Sequence, residues 1–219
     1  MNKQIELLRK ISIFADLADD DLEKLIELSE KRKYPRNSII LYRGDEGRAI
    51  YLIRKGKVKI TLNNEEGKEI ILNTLTKGNY FGEMSIFDKR KRSASVIAML
   101  DSEFLIISNN ALNDLIKKRP EVSFKLLSEM SLRLRAANEQ IRSLTFDKVR
   151  HRVAQVLKNL CKESSLNNND GYQVIIRPAI KDIAALAGTT RETASRILHE
   201  FSRQGAIKLN KENIIIFSK

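Results

Sequence analysis

The sequence has one cysteine, Cys161, and two histidines, His151 and His199. A single cysteine excludes an internal disulfide framework and any four-cysteine zinc or iron–sulfur site made by one chain. Val156, Leu157 and Leu160 lie around Cys161 at helical spacing, so the thiol reads as a small buried hydrophobe. The histidines are far apart and have no cysteine company; they read as surface or packing residues, and no metal site is expected. The chain has no apolar run of about 18 residues, so a transmembrane helix is not expected. Its first residues, MNKQIELLRKISIF, contain neither an apolar h-region nor a small-residue cleavage site. That pattern predicts no secretory signal and a cytoplasmic location. No internal repeat or low-complexity tract is visible. Nothing resembles a nucleophile paired with a base, so no catalytic residue is assigned and the chain reads as a non-enzyme.

Acidic residues are also in short supply. The 219 residues carry 40 Lys and Arg against 28 Asp and Glu, a net charge of +12. The surplus is uneven: residues 1–118 hold 22 basic and 18 acidic side chains, residues 119–219 hold 18 and 10. The shorter C-terminal part is the more basic, which suits a polyanionic partner. The run Lys89-Arg90-Lys91-Arg92 sits in an ordered-looking loop between strands, which argues against a nuclear signal.

Along the chain, Asp19–Glu30 reads as an amphipathic helix, with Leu22, Leu25, Ile26 and Leu28 inward and three aspartates at its positive N-terminal end. From Arg32 to Ser108 the pattern becomes β-rich. Runs at Ser38–Tyr42, Ala49–Arg54, Val58–Leu62, Glu69–Leu75, Ser93–Met99 and Glu103–Ile107 are separated by glycine turns. Many short strands so punctuated predict a β-sandwich, roll or barrel. Asn110–Lys118 reads as a helix ending before Pro120, and Glu121–Thr145 has neither glycine nor proline. In that long helix Leu127, Met130, Leu134, Ala137, Ile141 and Leu144 recur at alternating steps of three and four. This is a heptad seam; it predicts a homodimer, the alternative being packing on the chain's own β domain. A helix at Lys148–Lys162, a polar loop at Ser164–Tyr172 and a strand at Gln173–Arg177 follow.

Residues Ile180–Leu198 (IKDIAALAGTTRETASRIL) then read as two short helices about a tight turn. Ile183, Ala184 and Ala187 share one face, and Ala194, Ile197 and Leu198 another. Gly188 stands where the first helix must end and the backbone needs positive φ. Thr190, Arg191, Glu192, Ser195 and Arg196 are left for the outward side of the second helix, which a helix-turn-helix lays in the DNA major groove. A structural helix pair with Thr189 and Glu192 as a capping box is the plainer reading. The terminal hairpin Ala206–Leu209 and Ile214–Phe217 supplies a wing, so the module reads as a winged helix-turn-helix.

A second motif lies at Phe81–Val96, FGEMSIFDKRKRSASV. Gly82 lets the backbone approach a ligand. The turn from Glu83 through Met84 and Ser85 to Phe87 can offer backbone N–H groups to a phosphate. Arg92 can fork onto phosphate oxygens, Ser93 can add a hydroxyl, and the Glu83 carboxylate suits a sugar hydroxyl. An anion site beside a hydroxyl acceptor is what a cyclic nucleotide needs.

Here the chain resembles the cyclic AMP receptor protein family, the CRP/FNR regulators, over essentially its whole length. The family's cassette, Gly-Glu, eight residues, then Arg-Ser-Ala, is matched by Gly82-Glu83 and Arg92-Ser93-Ala94. The upstream pattern is matched by Gly44-Asp45, Tyr51, Ile53, Gly56 and Val58. The recognition-helix pattern is matched by Arg191-Glu192-Thr193 and Arg196. The resemblance implies an α+β chain: a jelly-roll-like β-roll effector domain over 1–118, a central dimerisation helix and hinge over 119–146, and a winged helix-turn-helix over 147–219. It implies a homodimeric regulator binding double-stranded DNA, with RNA polymerase as a further partner and no membrane. The family's iron–sulfur branch needs an N-terminal cysteine cluster, which is absent, and its haem-binding branch needs a histidine in the effector domain, where residues 1–118 have none, so no metal, haem or iron–sulfur cluster is expected. Gly82, Glu83, Arg92 and Ser93 would hold ribose and phosphate, Arg133 would reach the same site from the long helix, and Arg191, Glu192 and Arg196 would read bases. Cyclic AMP is the expected effector. Two departures stand out. Lys89-Arg90-Lys91 replaces a stretch often containing Gly and Pro, and Ala137-Asn138 replaces the Thr-Ser pair that faces adenine in cyclic AMP-specific members. Action without ligand, or on another anion such as a cyclic dinucleotide, is the alternative input. A signalling subunit without DNA binding is the alternative class.

Overall fold

Alternating apolar residues in two strands are buried on both faces, and this organises the first half of the molecule. The computed structural model describes residues 3–163 and 172–217. It divides into two compact units: one holds the chain up to Lys68 with Leu72–Ala136, the other Glu69–Ile71 and the chain from Ala137 onward. The first begins with α1 (Lys3–Arg9), a 3-10 turn (Ser12–Phe14) and α2 (Asp19–Glu27). Strands β1 (Ser29–Tyr34), β2 (Ile39–Leu41), β3 (Ala49–Lys55), β4 (Lys57–Asn63), β5 (Glu69–Thr76) and β6 (Tyr80–Phe81) follow. Then come the short helix α3 (Met84–Phe87), strands β7 (Ser95–Ala98) and β8 (Ser102–Ser108), α4 (Asn109–Lys118) and the long α5 (Glu121–Phe146).

The strands form two four-stranded sheets, ordered β1-β8-β3-β6 and β2-β7-β4-β5. Ile53, Phe81, Phe104 and Ile106 from one sheet meet Leu41, Val58, Leu75 and Val96 from the other, making the β core. On the opposite face Ile50, Leu52, Leu105 and Ile107 pack against Leu8, Phe14, Leu22, Leu112 and Leu126 of the helical segments. Period-2 alternation thus feeds two cores from β3 and β8.

The structure departs from the sequence reading around residue 28. The expected helix to Glu30 stops at Glu27, and Leu28, expected inward, is 55% exposed. Ser29 and Glu30 are taken instead by β1, which pairs with β8 in the register Ser29↔Ile107 to Tyr34↔Ser102. The ladder hydrogen bonds of an edge strand outcompete a further helical turn there. β1 itself, with exposed Lys31, Arg32 and Lys33, is not among the expected strands; nor is β6, and the helix α1 is likewise not expected.

The second unit contains α6 (Val149–Glu163), β9 (Tyr172–Ile176), α7 (Ile180–Leu186), α8 (Arg191–Arg203), β10 (Ile207–Leu209) and β11 (Asn213–Phe217). Its three strands form an antiparallel sheet ordered β10-β11-β9. Val153, Leu157, Ile183, Ile197, Phe201 and Ile214 form its core. Cys161 is buried among them, as its neighbours predict, and burial raises its thiol pKa. Of the expected polar loop at Ser164–Tyr172, residues 164–171 lie outside the described residues. No helix among the described residues is long and apolar enough to cross a membrane.

Candidate functional site

The cassette runs from β6 through Gly82, α3 and the following loop into β7. Gly82 has φ +86°, and a Cβ there would stand 2.8 Å from Arg92 Nη1 and 3.1 Å from the Ala49 carbonyl oxygen. Only glycine meets both constraints. Gly47 matters equally: a Cβ there would fall 1.8 Å from Ser85 Oγ. Its absence lets the segment before β3 close onto α3.

Arg92 is 6% exposed. Its Nη1 donates to the Gly82 carbonyl at 2.6 Å and to Ser85 Oγ at 2.8 Å, and its Nη2 donates to the Ala49 carbonyl at 2.8 Å. Among the described residues no carboxylate touches it, and its Nε is buried without a hydrogen-bond partner. Burial pulls its pKa below the ordinary value, opposed by the fields of Tyr51, Glu83 and Asp45; a guanidinium nevertheless stays charged.

Glu83 is 3% exposed. Its Oε1 accepts from Arg133 Nη1 at 2.8 Å, while Oε2 is buried and unpartnered. Arg133 also donates from Nη2 to the Tyr80 carbonyl at 3.0 Å and stacks 4.8 Å above the Tyr80 ring. Burial raises the Tyr80 phenol pKa, and its hydroxyl has no partner. Gly82, Glu83, Ser85, Arg92 and Arg133 are therefore gathered in one cluster. Sequence reasoning missed Gly47, the Ala49 carbonyl and Tyr80, because their contributions come from absent atoms, main chain and a ring. Ser93 and Met84 are exposed, the Ser93 hydroxyl lying 3.5 Å from the Met84 sulfur. Ala137 and Asn138 are exposed on α5 and belong to the second unit.

In the second unit α7 and α8 meet around Gly188, which has φ +59°. Ile183, Ala184 and Ala187 are buried, as are Ala194, Ile197 and Leu198, on the faces the sequence assigned them. The cap of α8 is Thr190, whose Oγ1 accepts from the Thr193 N–H at 3.2 Å. This removes the Thr189–Glu192 capping box and leaves Glu192 exposed with Arg191 and Arg196, Ser195 being half-buried. Arg191 and Ser195 are four apart, as are Glu192 and Arg196, so each pair lies on neighbouring turns of the helix surface.

A β-roll cassette with opposed buried charges, a long helix and a winged helix-turn-helix define an effector-domain DNA-binding regulator. The model of the cyclic nucleotide-binding domain matches residues 31–119, and that of the Crp-like helix-turn-helix domain matches residues 151–218. The chain is 35% identical over 197 residues to the cyclic AMP receptor protein of Thermus thermophilus, covering 90% of this chain and 88% of the relative. It is 33% identical over 201 residues to the cAMP-activated global transcriptional regulator CRP of Salmonella typhimurium, covering 91% and 95%. The solved structure of CLP from Xanthomonas campestris, described as a c-di-GMP responsive global regulator, matches with a TM-score of 0.83 at 22% identity. That match covers 92% of this chain and 100% of CLP and bears on the fold alone. The chain belongs to the CRP/FNR family of transcription regulators. Members of this family are regulators, not enzymes.

Proposed function

We propose that this protein is a cytoplasmic homodimeric transcription regulator that binds a cyclic nucleotide and, through it, sets the affinity of two recognition helices for a palindromic operator. Its domain limits are 1–118, 119–146 and 147–219, with RNA polymerase as a further partner. One observation carries the ligand assignment. Glu83 is held on one oxygen and bare on the other, and Arg92, in the same cassette, is held on both terminal nitrogens and bare at Nε. A buried bare acceptor and a buried bare cationic donor cost free energy unless something pairs them. A ribose hydroxyl and a cyclic phosphate supply the complementary groups. Ser93, Met84 and Ser85 line the phosphate side. By the resemblance, Ala137 and Asn138 take the positions assigned to the base, and Asn138 can pair with adenine or guanine. Cyclic AMP is the preferred nucleotide, with a smaller margin over cyclic GMP than a threonine would enforce. Thr190, Arg191, Glu192, Ser195 and Arg196 contact the operator.

A second reading has its own support. The Arg133–Glu83 ion pair ties α5 to the cassette through the chain's own side chains, which is the support for ligand-independent action. The exposed Lys89, Arg90 and Lys91 favour a more anionic ligand such as a cyclic dinucleotide. Calorimetric titration of ligand-free protein with cyclic AMP, cyclic GMP and cyclic di-GMP separates these. The expected result is binding of cyclic AMP that Glu83→Gln weakens by roughly 10- to 100-fold and Arg92→Leu abolishes. Circular dichroism of each variant checks that the β-roll is intact. No heat from either mononucleotide would leave the second reading in place.

A further inference from the structure

The end of α5 and the turn of the helix-turn-helix are joined by one side chain. Arg152, on the first turns of α6, points no guanidinium nitrogen at a carboxylate among the described residues. Its Nη1 donates to the main-chain carbonyl of Asp147 at 2.8 Å, its Nε to the carbonyl of Ala187 at 2.8 Å, and its Nη2 to the carbonyl of Gly188 at 3.3 Å. Asp147 is the residue after α5 ends, and Ala187 and Gly188 are the residues after α7 ends. Helix C-termini leave carbonyls without intrahelical partners. Arg152 satisfies such carbonyls at two helix ends at once, which only a planar fork with donors in several directions can do.

A second contact runs alongside. The Leu144 side chain, in the last turns of α5, occupies the space that a Cβ on Gly188 would need, its Cδ2 lying 2.4 Å from that position. The Asp147 carboxylate is occupied elsewhere, accepting from Ser143 Oγ at 2.8 Å and lying 3.5 Å from Arg142. It therefore closes α5 and does not compete for Arg152. Thr190, the cap of α8, is only two residues beyond Gly188.

We propose that Arg152, with Leu144 seated on Gly188, is a positioning residue for DNA recognition, fixing the start of α8 to the end of α5. Residues 144–147 are then a braced joint and not a free swivel. A rotation of the end of α5 carries the α7–α8 turn with it, so the distance and angle between two recognition helices follow the α5 pair directly. The assignment rests on the reading that a dimer binds a two-fold operator.

The measurement is spacing selectivity. Duplexes selected from a random pool by the wild-type full-length protein supply the operator. A second set carries one base pair inserted at the centre of symmetry. The wild type is expected to discriminate between the two, since half-sites must match successive major grooves. Arg152→Gln is expected to narrow that ratio by at least about fivefold, in the range of ordinary coupling effects. Leu144→Ala, which keeps every Arg152 hydrogen bond, is expected to narrow it in the same direction. General loss of stability would weaken both duplexes alike and leave the ratio fixed. An unchanged ratio in both variants, in protein with an unaltered thermal midpoint, overturns the assignment. A wild type with no spacing preference overturns the two-fold operator reading itself, and the assignment with it.

Discussion

Asp21 shows how a residue's role can differ from the one its position suggests. In the sequence it is one of three aspartates placed to favour the positive end of α2. In the fold its carboxylate is buried, accepting from Lys118 Nζ at 2.6 Å and Arg119 Nε at 2.7 Å at the far end of α4. The hydrogen bonds from Lys118 and then Arg119 hold its pKa below the ordinary 3.8, outweighing desolvation. A depressed carboxylate adds stability above its unfolded pKa and loses it as pH falls through the folded one. Asp21→Asn should therefore cost about 1–2 kcal/mol at neutral pH, a charge-assisted pair discounted because both cations are more than a third exposed. The deficit should shrink as pH falls from 3.8 through the depressed folded-state pKa, where wild-type Asp21 protonates as well. Urea denaturation at neutral pH and in acid measures both. A deficit independent of pH would assign the loss to packing. Partners 97 and 98 residues away could not be read from the sequence, whereas Gly82, Glu83 and Arg92 could, because fixed spacing in one loop brings them together.

At the scale of elements, legibility followed the source of stability. β3 and β8 announced themselves because apolar side chains on both faces build two cores. β1 did not, because its residues face solvent and its hold is the backbone ladder with β8. The helix-turn-helix was legible because its small residues Ala184 and Ala194 are buried and Gly188 takes φ +59°, although the cap fell at Thr190 and not Thr189. α5 has two characters. Val122 and Leu126 are buried in the first unit's helical core, yet Leu127, Leu134 and Ile141 are 63%, 63% and 62% exposed. Three large aliphatic side chains on one heptad face are an unpartnered seam. Leu134→Glu with Ile141→Glu places charges where a two-fold mate would bury them without partners, which is strongly unfavourable. Sedimentation should show the wild type as a dimer at micromolar concentration and the double variant as a folded monomer. A monomeric wild type would end the dimer reading.

For the molecule as a whole, the two anionic partners proposed for it would meet two different electrostatic environments. The cassette presents one deeply buried guanidinium, Arg92, with its charge shielded from bulk ions. The recognition helix presents Arg191 and Arg196 in the open, and the chain from residue 119 on carries 18 basic against 10 acidic residues. Exposed charges are screened beyond about 8 Å at physiological salt, buried ones much less. DNA binding also releases condensed counterions, and 6–10 phosphate contacts lose roughly 10³- to 10⁵-fold in affinity between 50 and 200 mM salt. A mononucleotide has no such atmosphere to release. Raising salt over that range should therefore weaken operator binding by orders of magnitude and nucleotide binding only a few-fold. Fluorescence anisotropy of labelled operator, beside calorimetry of cyclic AMP in the same buffers, gives both slopes. Parallel slopes would mean that the nucleotide sits among exposed cations such as Lys89, Arg90 and Lys91 and not on Arg92. The effector site would then have to be moved to that loop while the DNA assignment stood.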